Sequence, residues 1–184
     1  MKHLKFGNYR EARTWTGDLP EALVSTACAA EITLPARNRS IPVTALAVEF
    51  SAGFTERSPY GLLGGTFTPA NLSQLKVHIG SDSNGCRQIF SSPLRSSWEK
   101  VYVGLPQEYV KSVKDGLRSA QEWVDLPAGE LTIDRGAHSE TGSSSWLFRH
   151  LATVFLRLVS TPVKEMTDQG IVSAFEDGIP HSTL

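Results

Sequence analysis

Cysteine is nearly absent: 184 residues hold only Cys28 and Cys86. Two thiols do not make a disulfide framework, and no Cys-x-x-Cys pair marks a zinc site. Both are expected as small buried hydrophobes. Long apolar runs are also missing, and none approaches the roughly 18 residues that cross a bilayer. The first ten residues, MKHLKFGNYR, place basic side chains ahead of no apolar stretch and do not read as a signal peptide. Together these absences predict a cytoplasmic chain in a reducing compartment, with no membrane partner. Excess charge of one sign is lacking too. A net charge of −1 argues against capture of nucleic acid by the bulk field, and leaves room for a local basic patch. No G-x-x-x-x-G-K-[ST] loop occurs, so no nucleotide partner is expected. Internal repeats and low-complexity tracts are absent.

What is present is the composition of a globular chain, with 40% hydrophobic and 20% charged residues. The length suits one domain, 1–184, that can bury a core without staples. The first half reads as β. Ile41 to Phe50 alternates apolar with small residues, as a strand with one buried face should. Leu75-Lys76-Val77-His78-Ile79 alternates strictly, and Gln88-Ile89-Phe90 and Lys100-Val101-Tyr102-Val103 are shorter candidates. Ser58-Pro59-Tyr60-Gly61 and Gly64-Gly65 carry turn signals. Ser81 to Gly85 resembles a hairpin tip joining 75–80 to 86–90.

The second half changes period. Pro106 suits a first helical position, where its missing N–H is not needed. Val110, Val113, Leu117 and Ala120 then recur at helical spacing. Gly129 to Asp134 alternates as a strand, and 134–142 reads as a polar loop. One of Ser143, Ser144 or Ser145 caps a second helix. Leu147, Leu151, Val154, Phe155 and Leu158 form its apolar face, while Arg149, His150, Thr153 and Arg157 form a narrow polar strip. The fold class expected is α+β: a two-layer sandwich in which two helices back a mixed, mostly antiparallel four-stranded sheet, with additional N-terminal strands.

Three segments of this second half resemble domain IV of translation elongation factor G. Gly104-Leu105-Pro106-Gln107-Glu108-Tyr109-Val110, with Gly116-Leu117 further on, is similar to the family's helix-opening Ile-Pro-x-Glu-Tyr and its later Gly-Ile. Leu131 to His138 resembles the next strand and its Asp-Gly-x-x-His loop. Gly142 to Arg149 resembles Asp-Ser-Ser-x-x-Ala-Phe-Lys/Arg, with Gly142 in place of the acidic residue. The likeness covers 72–160, leaving 1–71 as extra strands and loops packed on that core and 161–184 as an acidic tail. It implies a ribosomal-protein-type fold with a left-handed βαβ unit, and a loop bearing His138 that contacts the ribosome or RNA. No GTPase domain accompanies it.

Four residues are therefore candidates for contact with RNA or another partner: Arg135, His138, Arg149 and Arg157. No catalytic set is complete. Cys86 and His78 lack a third orienting group, and the three serines lack the G-x-S-x-G elbow. No histidine pair has metal-ligand spacing, so neither a metal nor a cofactor is expected. Trp15, Trp98, Trp123 and Trp146 read as core or edge-packing residues. The function expected is a non-catalytic binding module of translation-factor type. The alternatives are a protein-interaction or dimerisation domain forming a homo-oligomer, and a small enzyme with a cleft between the N-terminal segment and the sheet.

Overall fold

Alternation of apolar and polar residues builds most of the chain into strands. The computed structural model describes residues 1–24, 28–37, 41–53, 58–82, 88–94 and 100–177. In chain order the strands are β1 (Lys2–Phe6), β2 (Arg10–Thr16), β3 (Cys28–Pro35), β4 (Thr44–Ala52), β5 (Tyr60–Pro69), β6 (Gln74–Gly80), β7 (Val101–Val103) and β8 (Gly129–Ser139). The helices are α1 (Gln107–Ala120), α2 (Ser145–Val159) and α3 (Asp168–Glu176). One mixed sheet runs in the order β1-β2-β4-β5-β8-β6-β3, with β7 paired to the end of β8. β6 and β8 are parallel and the other pairs are antiparallel. A parallel pair needs a crossover, and α1 lies within the one joining β6 to β8. The result is the α+β two-layer arrangement, an open sheet with its helices against one face.

That face carries the main core. Leu46, Val48 and Phe50 of β4, Leu63 and Phe67 of β5, and Leu131 and Ile133 of β8 pack with the apolar stripes of α1 and α2. Fully burying one such side chain contributes about 1.5–3 kcal/mol. The helical periodicity is realised closely: Val110, Val113, Leu117 and Ala120 are buried on α1, and Leu147, Leu151, Val154, Phe155 and Leu158 on α2. Ser144 is the cap of α2, its side chain accepting from the Leu147 N–H. The opposite face carries a smaller cluster among the described residues. There Tyr60, Leu62 and Ala137 meet Ala22, Phe90, Val101 and Val103.

The structure revises several local expectations. Tyr60-Gly61 and Gly64-Gly65 are not turns but lie inside β5, a ten-residue strand. A Cβ on Gly61 would stand 2.7 Å from Leu151 Cδ1, and one on Gly65 1.9 Å from the Thr132 carbonyl oxygen. Glycine is there because neighbours approach too closely for a side chain. The residues at 88–90 do not pair back onto β6: Ile89 bridges Tyr102, while β6 lies between β3 and β8. The hairpin tip expected at 81–85 lies mostly outside the described residues, as do Cys86, Trp98, His181 and the side chain of Cys28. The acidic tail contains α3, capped by Thr167, whose side chain accepts from the Gly170 N–H. Phe175 of that helix stacks on Phe50 at a centroid distance of 5.8 Å and meets Phe6 at 6.0 Å.

α1 and α2 cross in close contact at Gly116. A Cβ there would lie 2.2 Å from the Arg149 carbonyl oxygen and 2.9 Å from Ala152 Cβ. In an open helix Gly→Ala gains about 1 kcal/mol of propensity. At this crossing Gly116→Ala is expected to destabilise the fold by about 1–3 kcal/mol, because the helices must separate to admit the methyl group. Urea denaturation measures this, and a neutral or stabilised variant would show that the crossing is looser than described.

Candidate functional site

The four candidate residues do not converge. Arg135 and His138, expected on a protruding loop, lie within β8 instead. The strand continues past Asp134 because its edges find partners: β5 on one side, and first Leu23 and then β7 on the other. Arg135 faces away from the helices, as Ala137 and Leu62 do, and its guanidinium lies 2.9 Å from the Asp134 carboxylate. His138 is half-buried, paired with Gly61 on the helix face. Its Nδ1–H donates to the Gly104 carbonyl at 3.2 Å, and its ring lies 6.0 Å from Tyr102 and 6.4 Å from Tyr109. Arg149 and Arg157 sit on α2 in the helix layer. Only these two share a surface.

That surface is a groove of about 570 Å³ lined by Trp123, Trp146, Arg149, His150, Thr153 and Asp177. Two tryptophans expected to pack in the core or at its edge are in fact large exposed rings, Trp123 at 53% and Trp146 at 42%. Arg149 donates to Ser119 Oγ at 2.9 Å. Arg157 pairs with Asp177 and holds its guanidinium carbon 5.9 Å from the centre of the Trp123 ring, a cation–π arrangement. Both arginines are thereby held in defined positions. An adjoining hollow of about 310 Å³ extends the groove past Arg157 to Thr161.

His150, expected on the polar strip, is buried instead. It stacks on Trp146 with ring planes 6° apart, and Nε2–H donates to the Phe175 carbonyl at 3.0 Å. Burial disfavours the imidazolium, holding its pKa down at about 4 from the ordinary 6.5. The ring is a neutral tie between α2 and the end of α3, and the floor of the groove.

One buried charge was not singled out in the sequence, although a carboxylate inside the alternation of Ile41 to Phe50 was a visible signal. Glu49 is fully buried on the face opposite the helices. Tyr60 Oη–H and the Leu94 N–H donate to its Oε1 at 2.7 and 2.8 Å, and Arg13 stands 3.5 Å from Oε2. Arg13 also donates to the Ser92 carbonyl at 2.8 Å. Desolvation pushes the carboxyl pKa up against these contacts. The group clamps residues 92–94 onto the sheet. Removing either partner of such a buried pair leaves an uncompensated charge and is strongly destabilising.

Among the described residues, no group of three or more His, Cys, Asp or Glu is placed to hold a metal ion. No described helix is long and apolar enough to cross a membrane. The N-terminal strands β1 and β2 are hydrogen-bonded members of the sheet, not a lobe facing it across a cleft. No family model matches the chain, and no curated protein matches its sequence.

His150 gives the groove a pH signature. The unfolded chain takes up a proton that the folded chain refuses. Stability from this group is therefore complete above pH 6.5 and is lost as the pH falls towards about 4. Between pH 7 and 4.5 the loss is about 2–3 kcal/mol. Glu49 acts in the opposite sense, its contribution fading as pH rises through its raised pKa. His150→Gln is expected to remove the His150 component and flatten the pH dependence by that amount. Urea titrations of both proteins at the two pH values give the difference, and parallel curves would rule out the neutral tie.

Proposed function

We propose that this chain is a non-catalytic binding module that takes RNA, free or on the ribosome, in the groove on the outer side of α2. The carrying observation is the pairing of two exposed indoles, Trp123 and Trp146, with two positioned guanidiniums, Arg149 in the groove and Arg157 in the hollow that adjoins it. Unpaired bases stack on aromatic faces and on arginine planes, and phosphates accept from the same cations. The resemblance to domain IV of elongation factor G supports this reading. The order strand, helix, strand, helix, with both helices on one side of the sheet, is what that resemblance implies. The contact runs through α2 and not through 134–142, whose residues are largely used by the sheet.

A second reading, a protein-interaction or dimerisation surface, is favoured by Asp177. Its carboxylate lies in the groove and already matches the charge of Arg157. Tryptophan and arginine are also the residues that most often dominate protein interfaces.

Fluorescence anisotropy with a single-stranded RNA oligonucleotide, and co-sedimentation with ribosomes at low and high salt, test both readings. Trp123→Ala and Trp146→Ala are each expected to weaken RNA binding about tenfold, within the 1–3 kcal/mol of one stacked base. Arg149→Ala is expected to lower the salt slope by about one counterion. Absence of any association at low salt would discard the RNA reading. A dimer seen by light scattering and lost in Trp123→Ala would establish the second.

A further inference from the structure

The two edges of the sheet are treated differently. β1, at one edge, carries Lys2, His3 and Lys5, and α3 packs against it through Phe6 and the Lys2–Asp168 pair. Lysines along an edge discourage another strand from adding. β3, at the other edge, is eight residues long and reads Cys-Ala-Ala-Glu-Ile-Thr-Leu-Pro. Among the described residues it pairs only with β6, and Glu31 to Leu34 form no backbone hydrogen bond outward from the sheet. An edge strand of this kind presents a row of donors and acceptors that another chain can match.

α1 runs beside this edge. Ala29 and Ala30 form one wall of a hollow of about 320 Å³, with Val110, Lys111, Lys114 and Arg118 on the other. A second hollow of about 260 Å³ lies at the far end of the strand, between Pro35 to Arg37 and residues 121–126. A ledge with the strand edge on one side and the helix on the other therefore runs along residues 31–34; beyond it, the Arg37 N–H already donates to the Leu126 carbonyl. Lys111, Lys114 and Arg118 are spaced to share one face of α1. None of the three forms an ion pair among the described residues, and Asp115 is the one carboxylate lining the first hollow.

We propose that β3 and the basic flank of α1 form a docking ledge for an extended acidic segment of a partner protein, which adds to the sheet beside β3. Main-chain hydrogen bonds to Glu31–Leu34 hold the segment, and its acidic side chains on the helix side meet Lys111, Lys114 and Arg118. Alternating N–H and C=O groups match a peptide backbone. A phosphate chain accepts but does not donate, so it would leave the carbonyls unmatched. The hollow beside Ala29 and Ala30 shares no lining residue with the tryptophan groove, and the inference goes beyond the RNA reading.

The test uses the full chain and a fluorescein-labelled ten-residue peptide alternating glutamate with threonine. Controls are the same peptide with lysine for glutamate, and the glutamate peptide with alternate amides N-methylated. The glutamate peptide is expected to bind at least tenfold more tightly than either control, and to slow hydrogen exchange at those Glu31–Leu34 amides that point away from β6. Reversing the charges with Lys111→Glu, Lys114→Glu and Arg118→Glu is expected to invert the preference between glutamate and lysine peptides. Trp146→Ala is expected to bind the peptide as the parent does, so a failure of the tryptophan groove is read separately. Equal binding of all three peptides, or unchanged exchange at 31–34, overturns the proposal. So does an oligouridylate that displaces the peptide and gives the same protection, or a dimer that protects those amides without peptide.

Discussion

The arrangement depends on the hydrogen bonding of β8, which has partners along both edges. Its first half is flanked by β5 and the parallel β6. Its second half is flanked by β5 and then by Leu23 and β7. Between the halves one extra residue, Asp134, interrupts the register opposite Gly64 and Gly65. A single inserted residue sends every later side chain to the other face. Before the bulge Leu131 and Ile133 face the helices; after it Ala137 joins the opposite cluster and His138 turns towards Tyr109. Gly65 makes this possible, since any side chain there would strike the Thr132 carbonyl across the break.

The same bulge explains what could and could not be read in the sequence. Both long helices were legible because their stripes repeat without interruption, and β4 and β6 because they alternate cleanly. β8 was legible only as far as Asp134, where the period breaks and Arg135, His138 and Ser139 imitate a loop. β5 was hidden by its glycines, which signal turns when isolated but here answer crowding by Leu151, Ala47 and Thr132. α3 is short and contains Gly170, and it is held by burial of Ile171, Ala174 and Phe175, the last against Phe6 and Phe50, contacts that no local pattern encodes.

The candidate site was legible in half. Arg149 and Arg157 were placed on one surface by their eight-residue separation on a helix, and they share it. Trp123 escaped because it lies just past the end of α1, where no periodicity assigns a face. His150 escaped because its polarity outweighed its position among Leu147, Leu151 and Val154. Its buried side is satisfied by one backbone carbonyl, a long-range partner invisible in sequence. Burial of a polar ring is tolerated when such a partner is present.

The contact between α3 and β1 has a kinetic consequence. Lys2 and Asp168 are 166 residues apart, and the aromatic cluster closes nearly the same span. Contacts of such separation bear the largest loop-closure entropy, which is recovered only after the intervening sheet exists. Docking of α3 on Phe6 and Phe50 is therefore expected to follow assembly of the sheet that brings the two ends of this span together.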